Sequence, residues 1–90
     1  MDEESVQRSC LELKLALGRS LRDLRVMRKL TQVELAGLLH SSQSRVAKME
    51  TGDPSVSLDL LIRSLLALGA TSRDLARMVS FSRLLARSGQ

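Results

Sequence analysis

The residues of this chain best suited to chemistry cluster between positions 32 and 50. Gln43, Ser44 and Arg45 are consecutive, and Lys48 follows one helical turn later. A glutamine amide can form two hydrogen bonds with the N6 and N7 edge of adenine, and serine can donate or accept. Arginine and lysine can reach phosphate or guanine. This pattern fits the base edges and backbone of duplex DNA.

The triplet at 43–45 could equally be a solvated first helical turn, so the elements around it decide. Thr31 with Glu34 three residues later forms a capping box that predicts a short helix to about Leu39. His40 and Ser41 predict a turn. Ser42 then caps a further helix to about residue 50.

These two short helices predict a helix-turn-helix unit. Leu35, Ala36 and Leu39 share one face of the first helix, and Val46 and Met49 share one face of the second. The second helix is left with a free side that displays Gln43, Ser44, Ala47 and Lys48. Such a helix can enter the major groove of DNA. Backbone amides at the helix starts, Gln32 and Gln43, favour phosphate oxygens.

The flanking sequence predicts helices throughout. An apolar stripe indicates a first helix, or helix pair, over residues 3–28, with Gly18 as a break or a close approach. Residues 51–55 predict a loop, Ser57 caps a fourth helix, and Gly69 ends it. Thr71, with Asp74 three residues later, predicts the start of a fifth helix. The expected inward residues are Val6, Cys10, Leu13, Leu17, Leu21 and Leu24 in the first helix, Leu58, Leu61, Ile62, Leu65 and Leu68 in the fourth, and Leu75, Met78, Val79 and Leu85 in the fifth.

Charge and composition narrow the class of partner. Fourteen basic residues face ten acidic ones, and four of the acids lie in residues 1–12 beside a single base. Residues 13–90 therefore hold 13 bases against six acids, a balance of +7 that suits a polyanion. Phe81 is the only aromatic residue, which disfavours stacking on single-stranded nucleic acid.

Several other classes of protein are disfavoured. The apolar runs are too short to span a bilayer, and no signal peptide is recognisable, so we expect a cytoplasmic location. Cys10 is the single cysteine, and we expect neither a metal site nor a cofactor. Ser42 or Ser44 with His40 is not a catalytic set, because no orienting carboxylate or oxyanion loop accompanies them. The chain is not expected to be an enzyme.

A set of spaced motifs resembles the Cro/C1-type (xenobiotic-response-element-like) helix-turn-helix family. The motifs are Leu-Thr-Gln-Val-Glu-Leu-Ala at 30–36, Ser-Gln-Ser-Arg-Val at 42–46, Met-Glu-Thr-Gly at 49–52, Leu-Asp-Leu-Leu at 58–61 and Ala-Leu-Gly at 67–69. The resemblance implies an all-α, five-helix, lambda-repressor-like domain that binds operators as a dimer. It also implies that Gln32 holds a phosphate, Gln43 and Ser44 read bases, and Lys48 faces the groove.

Three positions depart from the family pattern, and one pair follows it. His40 and Lys29 replace common glycines, and Ser41 replaces an apolar residue, so the geometry of the turn is the point to check. Arg25 and Glu50 match positions whose side chains meet between the first helix and the end of the third. We expect them to form a structural ion pair rather than two exposed charges.

The motifs and the family resemblance together predict the division of the chain into segments and the residues that contact DNA. Residues 1–16 form an N-terminal helical extension, residues 17–87 the DNA-binding domain and residues 88–90 a frayed tail. The expected base contacts are Gln43, Ser44 and Lys48, and the expected phosphate contacts are Gln32, Ser42, Arg45 and Thr51.

Two functions remain open from the sequence. One is a transcriptional regulator, expected to be a repressor, that binds a palindromic operator as a homodimer through Leu75, Met78 and Val79 or through the N-terminal helix. The other is an antitoxin that binds a toxin protein and regulates its own operon. The acidic N-terminal helix resembles that of HigA-type antitoxins. Leucines where the family is often polar suggest a partner surface; they are Leu38, Leu60 and Leu66.

Overall fold

Five α-helices make up the described part of the chain, so the prediction of an all-α domain is confirmed. The structure is a computed structural model in which the backbone is described for residues 2–88 and the side chains for residues 2–80. Within residues 2–88 there is no β-strand. The helices are α1 (Glu3–Met27), α2 (Gln32–Leu38), α3 (Gln43–Glu50), α4 (Leu58–Ala67) and α5 (Ser72–Ser88).

The first helix is one continuous element of 25 residues, not a helix pair. Asp2 caps it by accepting a hydrogen bond from the Ser5 amide at 2.7 Å, and Glu3 and Glu4 complement the helix dipole. Its apolar stripe is exposed at the start of the helix and buried from its middle onward to Leu21. Residues 2–9 are exposed, whereas Leu17 and Leu21 lie in the core.

The predicted caps set the limits of the other helices. Thr31 and Glu34 form a full capping box at α2, and Ser57 caps α4 by accepting from the Leu60 amide. Gly69 ends α4 with a positive φ of 96°, as its position after the helix predicts. Thr71 and Asp74 exchange hydrogen bonds of 2.8 and 3.1 Å at the start of α5.

The core joins α1, α2, α3 and α4 with the loop before α4. Three inward predictions are wrong: Val6, Ile62 and Val79 are 40%, 37% and 38% exposed. Ile62 lies 100° around α4 from buried Leu61, at the edge of the buried stripe. Leu60, expected at the surface, is instead half-buried against the core. The buried apolar residues are Leu17, Leu21, Leu35, Ala36, Val46, Met49, Val56, Leu61, Leu65 and Leu68.

Two glycines allow α1 and the end of α3 to approach closely. A Cβ on Gly18 would overlap the carbonyl oxygen of Met49 and would lie 3.2 Å from that of Glu50. Gly52 has a φ of 69°, and a Cβ there would lie 2.8 Å from the Cα of Leu15. Gly18 is therefore a close approach and not a break, and the backbone of α1 supports the end of α3 directly.

The fifth helix packs against α1 and the core through Leu75 and Met78, which are half-buried. Val79 is exposed. The predicted inward position of Leu85 lies outside the described side chains. The predicted frayed tail includes residues 89 and 90, which also lie outside the described residues.

Candidate nucleic-acid interface

The α2–turn–α3 unit is built as a rigid corner. Leu35 and Ala36 on α2 are buried with Val46 and Met49 on α3, so each helix holds the other in place. His40 lies in the turn with φ 53°, the left-handed conformation that the family glycine would supply. The turn thus keeps the expected geometry although His40 replaces glycine.

The turn is closed by backbone hydrogen bonds. The amide of Ser41 donates to the carbonyl oxygen of Ala36 at 2.8 Å. The Ser41 hydroxyl oxygen is buried and has no hydrogen-bond partner in the described part of the chain. The following residue, Ser42, caps α3 by accepting from the Arg45 amide at 3.1 Å. These bonds fix the point at which α3 begins.

One side of α3 faces solvent. Gln43, Ser44, Arg45 and Lys48 are exposed, whereas Ala47, expected on the free side, is half-buried. The free side is therefore centred on the first turn and continues at Lys48. Both of its charged side chains are basic.

The remaining predicted phosphate contacts border this face. Ser42 and Thr51, at the two ends of α3, are exposed, and Gln32 on α2 is half-buried. The Thr51 hydroxyl donates to the Lys48 carbonyl oxygen at 3.1 Å. The structure thus places all the predicted base and phosphate contacts on or beside one surface, which combines the start of α2 with the exposed side of α3.

A buried ion pair connects this surface to α1. Nε of Arg25 lies 2.5 Å from one carboxylate oxygen of Glu50, and an NH2 group of Arg25 donates to the other at 3.0 Å. The side chains are only 13% and 3% exposed, respectively. Such two-point pairing fixes orientation as well as distance. The pair lies where the sequence places it and is not a surface contact.

The ion pair continues into a polar network that reaches the exposed face. The Gln32 amide donates to Glu50 at 3.1 Å, and the Gln43 amide approaches the Gln32 oxygen at 3.5 Å. The remaining terminal nitrogen of Arg25 donates to the Leu30 carbonyl oxygen at 2.8 Å. One guanidinium therefore orients the end of α3 and the segment leading into α2.

The electrostatics of the surface follow from this arrangement. Hydrogen bonds to Glu50 raise the pKa of Arg25, although burial opposes the shift. Glu50, the acid nearest to the exposed face in sequence, is buried and paired. Its negative charge is thus removed from the surface that Arg45 and Lys48 make positive.

The N-terminal half of the chain supports the loop that follows α3. Nζ of Lys14 donates to the carbonyl oxygen of Pro54 at 2.9 Å. Asp53 accepts from the hydroxyl and the amide of Ser55, and these bonds lower the pKa of its carboxyl. The loop is therefore fixed by a bond from α1 to the Pro54 carbonyl oxygen and by bonds between the two residues that flank the proline.

Other kinds of site find no support in the described residues. Among them, no three His, Cys, Asp or Glu side chains come together as metal ligands would. No helix in the same part of the chain has the length and apolar character needed to cross a membrane.

The fold and the exposed helix define a DNA-binding regulator of the xenobiotic-response-element type. The chain belongs to the helix-turn-helix domain family, whose model matches residues 16–79. The matched segment begins inside α1, so the first 13 residues of that helix precede the part shared with the family.

Two known proteins are similar over parts of the chain. A Mycobacterium tuberculosis protein named "Putative antitoxin HigA2" is 46% identical over 50 residues, which are 54% of this chain and 50% of that protein. The chain thus matches half the length of that relative. The crystal structure of the clp gene regulator ClgR from C. glutamicum superimposes with a TM-score of 0.65 at 34% identity, covering 78% of this chain and 91% of that one.

The sequence predicted the two ends of the polar network, the Arg25–Glu50 pair and the exposed Gln43. It did not predict the hydrogen bonds of Gln32 that connect them. The Gln32 amide was expected to hold a phosphate, and its hydrogen bond to Glu50 was not foreseen. The available signal was the spacing of two glutamines at adjacent helix starts, Gln32 and Gln43. The bond from Lys14 to Pro54 was also missed, because a contact across 40 residues leaves no local pattern.

Proposed function

We propose that this chain is a sequence-specific transcriptional regulator that inserts α3 into the major groove of double-stranded DNA. Gln43, Ser44 and Lys48 contact base edges. The backbone phosphates are contacted by Gln32, Ser42, Arg45 and Thr51. DNA-bound chains pair as a homodimer on a palindromic operator and repress transcription from it.

The observation that carries this proposal is the contrast between the two sides of α3. One side is anchored by buried Val46, Met49 and the Arg25–Glu50 pair, and the other presents an exposed amide, an exposed hydroxyl and two exposed cations. A surface helix without a function has no need of a buried two-point ion pair to fix its direction. A base-reading helix does, because hydrogen bonds to base edges depend on orientation.

A two-fold dimer follows from the small size of a single α3. Eight residues reach only a few base pairs, and a second copy doubles the site. Half-sites then lie about 34 Å apart, which is one turn of duplex. The expected cellular location is the cytoplasm.

Selection of binding sites from a random duplex pool tests the proposal. We expect a palindromic site, bound with an affinity that falls steeply with salt at a slope of about −0.9 per neutralised phosphate. The control is a scrambled duplex of the same composition over the same salt series. A selected pool without a shared sequence, or a flat salt response, contradicts the proposal.

The second candidate function is that of an antitoxin, which the similarity to HigA2 favours. Residues 2–9 extend α1 as an exposed helix, and Asp2, Glu3 and Glu4 give its end a negative charge. That end suits a basic protein partner. Two observations together would support this function. A neighbouring gene encodes a basic, ribonuclease-like protein, and its product co-purifies with the full chain but not with a chain lacking residues 2–9. A full-length chain that binds no such neighbouring product contradicts it.

A further inference from the structure

The outer face of α4 is apolar in the middle and charged beside it. Ile62 and Leu66 lie one turn apart and are 37% and 47% exposed. Asp59 and Arg63 form an exposed i,i+4 ion pair at 2.8 Å. At 100° per residue these four side chains fall within an arc of about 100°. We call them the α4 face.

The α5 residues expected to join two copies are largely engaged within one chain. Leu75 and Met78 pack against the core of their own molecule, and among the three only Val79 is exposed. The exposed apolar pair nearest in sequence is Ile62 and Leu66. Among the exposed large apolar side chains of residues 2–80, only Ile62 and Leu66 lie one helical turn apart, so α4 offers a surface for the interface that the proposed function requires.

The α4 face is complementary to itself. In a two-fold interface the same patch meets its own copy. When the two-fold axis is perpendicular to α4, the two copies of the helix run antiparallel. With the axis between Ile62 and Arg63, the two Ile62 side chains meet at the centre, and each Leu66 lies about 4.5 Å, measured along the helix, from Ile62 of the other copy. Arg63 of one copy then lies about 4.5 Å, measured along the helix, from Asp59 of the other, within reach of an arginine side chain.

We propose that the α4 face is the surface through which two copies of this chain associate. Ile62 and Leu66 form the apolar centre, and the intrahelical Asp59–Arg63 pairs exchange for two pairs between copies. This inference rests on the dimer of the proposed function, but it is tested without DNA. One helix face buries less than the roughly 1,200 Å² at the lower end of standard interfaces, so the association is weak and reversible.

Sedimentation equilibrium of the full chain over a wide concentration range tests the α4 face. Leu66→Glu is expected to raise the dimer dissociation constant at least tenfold. The matched control is Leu38→Glu, since Leu38 is also an exposed leucine at the end of a helix and is 61% exposed. It is expected to leave the dissociation constant within about twofold of the parent value. Circular dichroism verifies that both variants are folded.

A charge exchange tests the same face without touching its apolar centre. Asp59→Arg alone and Arg63→Asp alone place like charges opposite each other and are expected to weaken association. The double variant Asp59→Arg, Arg63→Asp restores opposite charges both within and between copies and is expected to recover the parent value. A parent chain that stays monomeric overturns the inference. So do equal effects of the two leucine variants, or a double variant that stays dissociated.

This outcome is separable from that of the proposed function. If the chain binds its selected site but Leu66→Glu leaves association unchanged, the proposed regulator function stands and the α4 face is not the interface. The interface is then on α5 or the N-terminal helix. If the chain associates through the α4 face but selects no DNA sequence, this inference stands and the proposed regulator function is contradicted.

Discussion

At the scale of single residues, Arg25 has the widest influence on the site. Its guanidinium bonds Glu50 at two points and the Leu30 carbonyl at a third, so that three segments are held by one side chain. An interaction of this kind sets the direction of α3 without touching DNA. Its loss should therefore affect folding before it affects recognition.

Arg25→Ala is expected to lower the free energy of unfolding by about 3–5 kcal/mol, because it leaves a buried carboxylate without its counter-charge. Thermal and urea denaturation measure the loss. The control is Arg22→Ala, which removes an exposed arginine one turn earlier and should change stability by no more than about 0.5 kcal/mol. Equal stability of the two variants would show that the pair does not anchor α3.

Ser41 provides a residue-scale test of the unusual turn. Its buried hydroxyl has no partner in the described residues, and an unsatisfied buried polar group costs about 1–3 kcal/mol. Ser41→Ala is therefore expected to raise the melting temperature. Ser44→Ala, which alters an exposed serine nearby, serves as the control and should leave it nearly unchanged. A destabilised Ser41→Ala would mean that the hydroxyl has a partner after all.

At the scale of elements, the close approach of α1 to α3 rests on Gly18. A Cβ there meets backbone rather than a flexible side chain, so Gly18→Ala is expected to destabilise the fold by about 1–3 kcal/mol. The matched control is Gly37→Ala in α2, where nothing lies within 4 Å. That change should stabilise by up to about 1 kcal/mol through helix propensity. Denaturation of both variants in parallel gives the comparison, and the same sign for both would contradict this packing.

The helix caps predict how stability depends on pH. Hydrogen bonds from the Thr31 and Thr71 backbone amides lower the pKa of Glu34 and Asp74 below their ordinary values of 4.5 and 3.8. A lowered folded-state pKa gives stability that is fully present above the ordinary value and is lost as pH falls through the folded value. The melting temperature should therefore drop below about pH 4.

The acid sensitivity should shrink when a cap is made neutral. In Glu34→Gln the side chain can still accept the Thr31 bond but no longer titrates, so the variant should lose less stability between neutral and acid pH than the parent. Melting curves over this pH range provide the measurement. An unchanged pH profile would remove Glu34 from the groups that control acid stability.

The elements also show what the sequence could and could not predict. Caps at Thr31, Ser42, Ser57 and Thr71 are local patterns, and the structure confirms each of them. The orientations of Val6, Ile62 and Val79 were predicted wrongly, because an apolar residue at the edge or the end of a helical stripe can face solvent.

The site shows the same division between local and long-range information. The positions of Arg25 and Glu50 follow a family pattern, so their meeting could be expected. The bond between Gln32 and Glu50 depends on the angle between α2 and α3, which short-range spacing does not specify.

At the scale of the whole molecule, three separate surfaces of one small domain carry the proposed functions. The start of α2 and the free side of α3 are the proposed DNA surface, the α4 face is the proposed contact between two copies, and the exposed start of α1 is the proposed surface for a protein partner. Because all three are connected through the core, stability must be measured alongside every binding experiment.

The most direct test of the central claim is the affinity of Gln43→Ala for the selected operator and for a scrambled duplex. The variant should melt within about 0.5 kcal/mol of the parent and lose about 1–3 kcal/mol of operator binding, with little change on the scrambled duplex. Gln7→Ala, which removes an exposed glutamine in the first turns of α1, is the control and should bind both duplexes as the parent does. Parent-like discrimination by Gln43→Ala would contradict the assignment of α3 as the helix that reads DNA.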